Sequence, residues 1–362
     1  MKRICHVTSL HPAYDARIFF KECRSLTKHY DVYLIAPNVE DCDKDNIKVR
    51  GVVLPEKRLE RFLSLNIVYK KMKEIDADLY HFHDPELMKI AYKIKRQGKV
   101  VIFDSHEDVP SQILDKPWIP KLLRKPVSKV YSIYEAFYFK RFDGLISVTP
   151  NIVNRLFRIN QRTVQVTNYP IVYPFEDNRS WDRNVCFIGS ISPHYMLDVI
   201  ISLLDKAEAK MIIAGLPTDH LNDLKKEKNW SLVDFKGFVS HSECLGIIQR
   251  CSVGVCLSRY RPNAGYKKGT LGVLKLFEYM MAGIPVVVTD YDLWVDIIER
   301  NNCGICVNPN DERAILNAII FLLDNPEKAK EMGENGRRLV EDAYNWESQE
   351  KILFDFYDLL LN

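Results

Sequence analysis

No run in this chain approaches the roughly 18 to 20 apolar residues that a bilayer-spanning helix requires. Nor is there a secretory signal. Met1-Lys2-Arg3 leads only into the short run Ile4-Cys5-His6-Val7, which His6 interrupts. The two absences predict a cytoplasmic protein, at most peripheral on the inner face of the plasma membrane. Charge of one sign is also lacking: 51 Lys and Arg against 48 Asp and Glu leave +3, too little for a nucleic-acid binder. The nine cysteines form no regular framework and are odd in number, which favours a reducing compartment. Cys303-Gly304-Ile305-Cys306 is formally a C-x-x-C, but it leads into a strand-like run and has no second ligand pair, so a thiol or zinc role is not expected. Internal repeats and low-complexity segments are missing too.

What is present is alternation. Short β-branched runs at 3–8, 31–36, 47–53, 79–82, 100–104 and 144–148 are separated by helix-like segments at 17–28, 64–75, 85–96, 125–141 and 150–160. A second series of runs follows at 185–189, 210–214, 233–235, 253–257, 286–289 and 305–307. Its helices fall at 196–204, 219–226, 243–250, 272–282 and 311–323. Strands alternating with helices predict a doubly wound parallel sheet. Two series in 362 residues predict two Rossmann-like domains. Pro170 and Pro174 with the polar stretch after them disfavour regular structure. The expected division is therefore an N-terminal domain over 1–168, a linker over 169–184, a C-terminal domain over 185–345 and an amphipathic terminal helix over 346–362.

The most telling stretch is Lys275-Leu276-Phe277-Glu278-Tyr279-Met280-Met281-Ala282-Gly283-Ile284-Pro285-Val286-Val287-Val288-Thr289. Glu278 lies among apolar neighbours, where a carboxylate must find a partner or face a cleft. Gly283 suits the left-handed position that ends a helix, and Pro285 stops the helix from resuming. This segment resembles the nucleotide-sugar-binding helix of retaining glycosyltransferases with the GT-B fold, in the branch that makes bacterial capsule, O-antigen and exopolysaccharide. Asn301 to Asp311, Asp324-Asn325-Pro326-Glu327 and Tyr344-Asn345-Trp346 are similar to further stretches of that family, as are His11 to Phe19 and Asp104-Ser105-His106-Glu107-Asp108. The resemblance implies an α/β protein of two Rossmann-like domains facing across a cleft, with the terminal helix packed back on the first. It also implies metal-independent, retaining transfer of a sugar, by front-face departure and attack, from a nucleotide-diphosphate sugar to a saccharide hydroxyl, with a lipid-linked acceptor. The nucleotide sugar is a substrate, so no cofactor is expected.

Ligands of such sheets bind beyond the carboxyl ends of the strands, where the candidate residues fall. Glu278 fits the second Glu of the family's E-x7-E motif, implied to hold the ribose hydroxyls. The position of the first Glu is Thr270, which can hydrogen-bond a donor-sugar hydroxyl but carries no charge. Gly189 and Ser190 follow a strand, and Gly189 would let backbone approach a diphosphate. Relatives continue that loop to an Arg or Lys, whereas Pro193-His194-Tyr195-Met196 offers none. Lys275, Arg259 and Arg261 are the candidates to replace it, with Phe277 as a further donor-helix residue. By resemblance His106 approaches the donor sugar and serves catalysis. His11 and Arg17 are candidates for acceptor or phosphate contact, with helix capping and packing as the alternative. His81, His83 and Asp84 look metal-like, but the resembled branch carries His-Asp-Pro without a metal, so none is expected.

Residues 117–141 combine many cations and aromatics with one acid, Glu135. Such a segment can lie on an anionic membrane surface, or else be a core helix with a solvated basic face. Two other functions stay open on the sequence: a nucleotide-sugar epimerase on the same fold, and a catalytically degenerate nucleotide-binding partner of another transferase. Isomerised free donor would mark the first. Nucleotide binding without turnover would mark the second.

Overall fold

Parallel strands covered on both faces must be apolar throughout, and the computed structural model gathers the two series of apolar runs into two sheets. It describes residues 1–174 and 181–362; residues 175–180, inside the expected linker, lie outside the described residues. The first unit comprises Met1–Asn168 with Trp346–Asn362, and the second Tyr169–Asn345.

In the first unit the strands are β1 (Arg3–Val7), β2 (Asp31–Pro37), β3 (Cys42–Lys44), β4 (Ile47–Val52), β5 (Leu79–Phe82), β6 (Val100–Asp104), β7 (Gly144–Ser147) and β8 (Thr163–Gln165). Their order is β3-β4-β2-β1-β5-β6-β7-β8, with only β3 antiparallel to its neighbour. β3 and β8 escaped the sequence reading. Each is a three-residue edge strand with polar residues, and polar residues suit an edge, where half the backbone is unpaired. The helix expected over 17–28 instead opens with a widened, π-type stretch at Ile18–Cys23 and closes with an α-turn at Arg24–Leu26. Glu22 donates its N–H to Arg17 O at 2.9 Å, five residues back. Such turns are often found at functional sites.

The second unit holds β9 (Asn184–Ile188), β10 (Lys210–Ala214), β11 (Val233–Gly237), β12 (Val253–Cys256), β13 (Val286–Thr289) and β14 (Gly304–Val307). The order is β11-β10-β9-β12-β13-β14, all parallel. In each sheet the order reverses beside the first strand: between β1 and β5, and between β9 and β12. These switch points are where open α/β sheets leave a crevice. The helix Pro326–Asp342 was not foreseen; Pro326 sits in its first turn, where the missing N–H costs nothing.

The terminal helix Trp346–Leu361 belongs to the first unit. Trp346 donates its indole N–H to Ser25 Oγ at 2.8 Å, and Gln349 accepts the Thr167 N–H at 2.7 Å. The tip of the Phe356 ring lies against Gly144 at the start of β7; a Cβ there would stand 2.3 Å from the ring. Gly144→Ala should therefore cost about 1–3 kcal/mol, as overpacking does. Gly246→Ala, in the helix His241–Ile248 with open space around its Cα, should instead add about 0.5–1 kcal/mol. Thermal melts of the two variants check the opposite signs.

Candidate functional site

In the second unit the helix Leu274–Met281 is laid under the sheet by Tyr279. The Tyr279 hydroxyl accepts the Ile188 N–H at 2.8 Å, and its ring fills the space that Gly254 of β12 leaves by lacking a side chain. This anchoring turns Lys275 and Glu278 toward the carboxyl ends of β9 and β12. Lys275 is buried, and its Nζ stands 3.7 Å from the ring centre of Phe187 and 3.6 Å from that of Tyr195. It finds no hydrogen-bond partner among the described residues. Burial pulls the amine down to about 7. Its Nζ lies 2.8 Å from where a Cβ on Gly189 would be, and Gly189 has φ of 135°, which excludes most other residues. Gly215, at the end of β10, comes so close that a Cβ on it would sit 1.8 Å from Gly189 O. A buried cation thus faces a glycine-lined turn.

Glu278 presents its carboxylate about one turn further along the same helix. His241 Nε2 lies 2.7 Å from Glu278 Oε1, which orients the carboxylate and leaves Oε2 for another donor. The Tyr195 position, where the resembled family would place a cation, has Lys275 over its ring, and the charge of Arg261 opposes the rise that burial gives the Tyr195 and Tyr291 hydroxyls. Arg259 is turned outward, 3.5 Å from Asp198. Ser190 is exposed beside Gly189. Thr270 sits in the bend before the helix. Its hydroxyl accepts the Gly272 N–H at 3.1 Å and its carbonyl accepts the Trp294 indole at 2.8 Å, so the hydroxyl proton stays available. Phe277 is a correction. It is fully buried, packed on Tyr169 and Tyr344 at 4.7 and 5.4 Å between ring centres, and belongs to the core rather than to a ligand surface.

The first unit has its own concavity, about 220 Å³, at the carboxyl ends of β1, β5 and β6, lined among others by His11, Asp84, Ser105 and His106. His11 and His106 meet edge to face at 5.2 Å. Burial would pull the His11 imidazole down, but the nearby carboxylates of Asp15 and Asp84 hold it above its usual range. Arg17 is the second correction. It is buried, with Nε 2.9 Å from Asp104 and Nη2 3.0 Å from Glu22, so its charge is spent inside the fold and is not presented to a ligand. Packing, the alternative reading, is what the structure shows.

Sequence reasoning missed His241, Gly215 and Tyr279. No local pattern marks His241: it opens a helix after the capping residue Ser240 and meets Glu278 only in the fold. Gly215, following the apolar run Met211-Ile212-Ile213-Ala214, repeats the strand-then-glycine pattern of Gly189 and was legible.

Two Rossmann-like units, one with a cation and a carboxylate at its switch point, fit a glycosyltransferase of the GT-B fold. The family models agree half by half: residues 16–168 match "Glycosyltransferase Family 4" and residues 175–339 match "Glycosyl transferases group 1". The chain belongs to the group 1 glycosyltransferases. It is 21% identical to an uncharacterized glycosyltransferase of Methanocaldococcus jannaschii, over 95% of this chain and 93% of that one. It is 20% identical to the O-antigen chain mannosyltransferase C of Escherichia coli, over 81% and 78%. Among solved structures, Anabaena Alr3699/HepE in complex with UDP and glucose superposes with a TM-score of 0.73 at 13% identity, over 99% of this chain and 100% of that one.

The buried Arg17 generates a stability prediction. Removing one partner of a buried ion pair strands the other. Arg17→Met should lower the stability of the first unit by about 3–5 kcal/mol in urea unfolding, whereas a loss below about 1 kcal/mol would mean that Asp104 and Glu22 are satisfied without it.

Proposed function

We propose that this glycosyltransferase takes a sugar from a nucleoside-diphosphate sugar and gives it to a saccharide hydroxyl, with retention at the anomeric carbon and without a catalytic metal. The observation that carries the reading is Lys275: a buried amine, with no hydrogen-bond partner among the described residues, aimed at the Gly189 turn. A leaving diphosphate needs positive charge that is already in place. Lys275 supplies a point charge and Arg261 a guanidinium suited to paired phosphate oxygens. Glu278, oriented by His241, accepts from the ribose hydroxyls through Oε2. Thr270 donates to a donor-sugar hydroxyl in place of the missing glutamate. His106 serves the reacting sugar and His11 the acceptor. Retention follows the sequence resemblance. The UDP and glucose of the superposed Anabaena protein agree with the donor class.

The acceptor is proposed to be lipid-linked and reached at an anionic membrane surface. The helix Lys121–Phe139 buries only Glu135 and Phe139. Leu123, Val127, Val130, Tyr134 and Phe137 are exposed at three- and four-residue spacing, which makes one apolar stripe. Lys121, Arg124, Lys125 and Lys129 are on the same helix. No helix among the described residues is long and apolar enough to cross a membrane. The O-antigen enzyme of Escherichia coli agrees with a growing glycan as acceptor.

Calorimetry with a nucleoside and its diphosphate tests the donor site. Glu278→Ala should weaken both ligands alike, by about 1.5–3 kcal/mol. Lys275→Ala should weaken the diphosphate far more than the nucleoside, and Arg261→Ala should do the same to a lesser degree. Because the free amine lies near 7 and a bound phosphate raises it, diphosphate binding takes up a proton above pH 7. Affinity should then fall as pH rises from 7, by up to about tenfold per unit until the bound amine itself titrates. This part of the slope should vanish in Lys275→Ala. Equal losses of both ligands in that variant would remove Lys275 from the phosphate site.

Sedimentation with liposomes tests the surface. Binding to anionic vesicles should weaken as salt rises. Val130→Ser combined with Phe137→Ser should reduce it without lowering the melting temperature. Equal binding to neutral vesicles, or none, would contradict the proposal.

A further inference from the structure

The first unit buries a group of side chains that sugar transfer does not use. His6 on β1, His81 and His83 at β5, and Glu22 in the widened turn of Ile18–Cys23 all lie out of reach of solvent, none more than 1% exposed. From each, one nitrogen or oxygen can be chosen so that all four atoms lie within 4.8 Å of one another. We propose that these four residues bind one divalent transition-metal ion of the zinc class, in a structural role.

The separations fit such an ion. With metal–ligand bonds of about 2.0–2.1 Å, the edges of a tetrahedron measure about 3.4 Å. His6 Nδ1 is 2.9 Å from His83 Nε2. Glu22 Oε2 is 3.7 Å from the first and 3.8 Å from the second. These three edges bracket the ideal, and small side-chain shifts equalise them. The fourth ligand is His81 Nε2, which has no hydrogen-bond partner among the described residues. Its ring lies 4.5 Å from those of His6 and His83.

The outer contacts select the inward atoms. Metal-binding histidines usually donate their other ring N–H to a fixed acceptor. One hydroxyl serves two of them here: Tyr357 Oη is 2.8 Å from His81 Nδ1 and 3.1 Å from His6 Nε2. A hydroxyl oxygen has two lone pairs and can accept from both. That choice of tautomers leaves His6 Nδ1 and His81 Nε2 bare and available. His83 Nδ1 faces Asp104 Oδ2 at 3.6 Å. Arg17 engages Glu22 Oε1 at 3.0 Å, leaving Oε2 for the ion. Three imidazoles and a carboxylate suit zinc, with cobalt and nickel as substitutes, and the absence of sulfur disfavours copper(I). The sequence singled out His81, His83 and Asp84 as metal-like and expected no metal. The fold adds His6 from a strand and Glu22 from a turn. Bound there, the ion joins β1, β5 and the first helix, with the terminal helix holding it through Tyr357.

The experiment uses the full chain, freed of any histidine tag and washed with a weak chelator. Elemental analysis should find about one zinc per chain. Unfolding with a strong chelator and refolding without metal should lower the melting temperature, and zinc added during refolding should restore it. Refolding with cobalt(II) should give the visible absorption of a tetrahedral site. His81→Gln and Glu22→Gln should lose both the metal and the zinc-dependent shift, while Tyr357→Phe keeps the ion but binds it roughly 10- to 100-fold more weakly. If either glutamine variant does not fold, the cobalt spectrum of the unaltered chain decides. A folded chain with no metal, no cobalt spectrum and one melting temperature with and without zinc would be a hydrogen-bonded imidazole cluster only, and would overturn the proposal. So would full metal retention in both glutamine variants.

Discussion

Taking a positive charge out of water is costly, and each unit of this protein does it at the carboxyl ends of its central strands. In the first unit ion pairing offsets the cost: Arg17 lies between Asp104 and Glu22, so the guanidinium is a structural part. In the second unit it is met only partly. Lys275 has two ring faces around it, and burial pulls its amine down to about 7. The two buried cations thus differ in kind: Arg17 is paired with carboxylates, whereas Lys275 is packed against ring faces.

The placement of Lys275 depends on what is missing from other residues. Gly189 and Gly215 bring two turns within touching distance, and Gly254 makes room for the Tyr279 ring that fixes the helix. Small residues at three points thereby set the orientation of one long side chain. Preorganisation of this kind lowers the cost of ordering charge when a ligand arrives. Glu278 is held by a different device, the imidazole of His241 from another helix.

Most of the fold was legible because buried parallel strands are written as apolar runs. β5, β6, β10 and β13 carry little else and were bounded to the residue. The edge strands β3 and β8 were not legible, since an edge needs polarity and brevity, which look like loop. For the candidate site, Lys275, Glu278 and Gly189 were singled out by local context together with the family resemblance, and the fold brings Lys275 against Gly189. Arg17 and Phe277 were misjudged for one reason: a residue type says what a side chain can do, while its neighbours across the sheet decide what it does. Neither Asp104 beside Arg17 nor Tyr344 beside Phe277 is near in sequence. His241 and the grouping of His6 with Glu22 are likewise products of tertiary proximity.

The path of the chain through the two units has a consequence for how the protein is made. The helix Trp346–Leu361 completes the unit that Met1–Asn168 begins, and the whole of Tyr169–Asn345 is inserted between them. On the ribosome the first sheet must therefore wait, with the surface that Trp346, Phe356 and Tyr357 will cover still bare, while the inserted unit is synthesised. That unit can fold on its own contacts and bring the two ends of its neighbour together, which removes most of the entropy cost of closing so long a loop. The inserted unit is thus a folding aid for the one that flanks it, and a defect in its early folding would first be felt as aggregation of a sheet it does not contain.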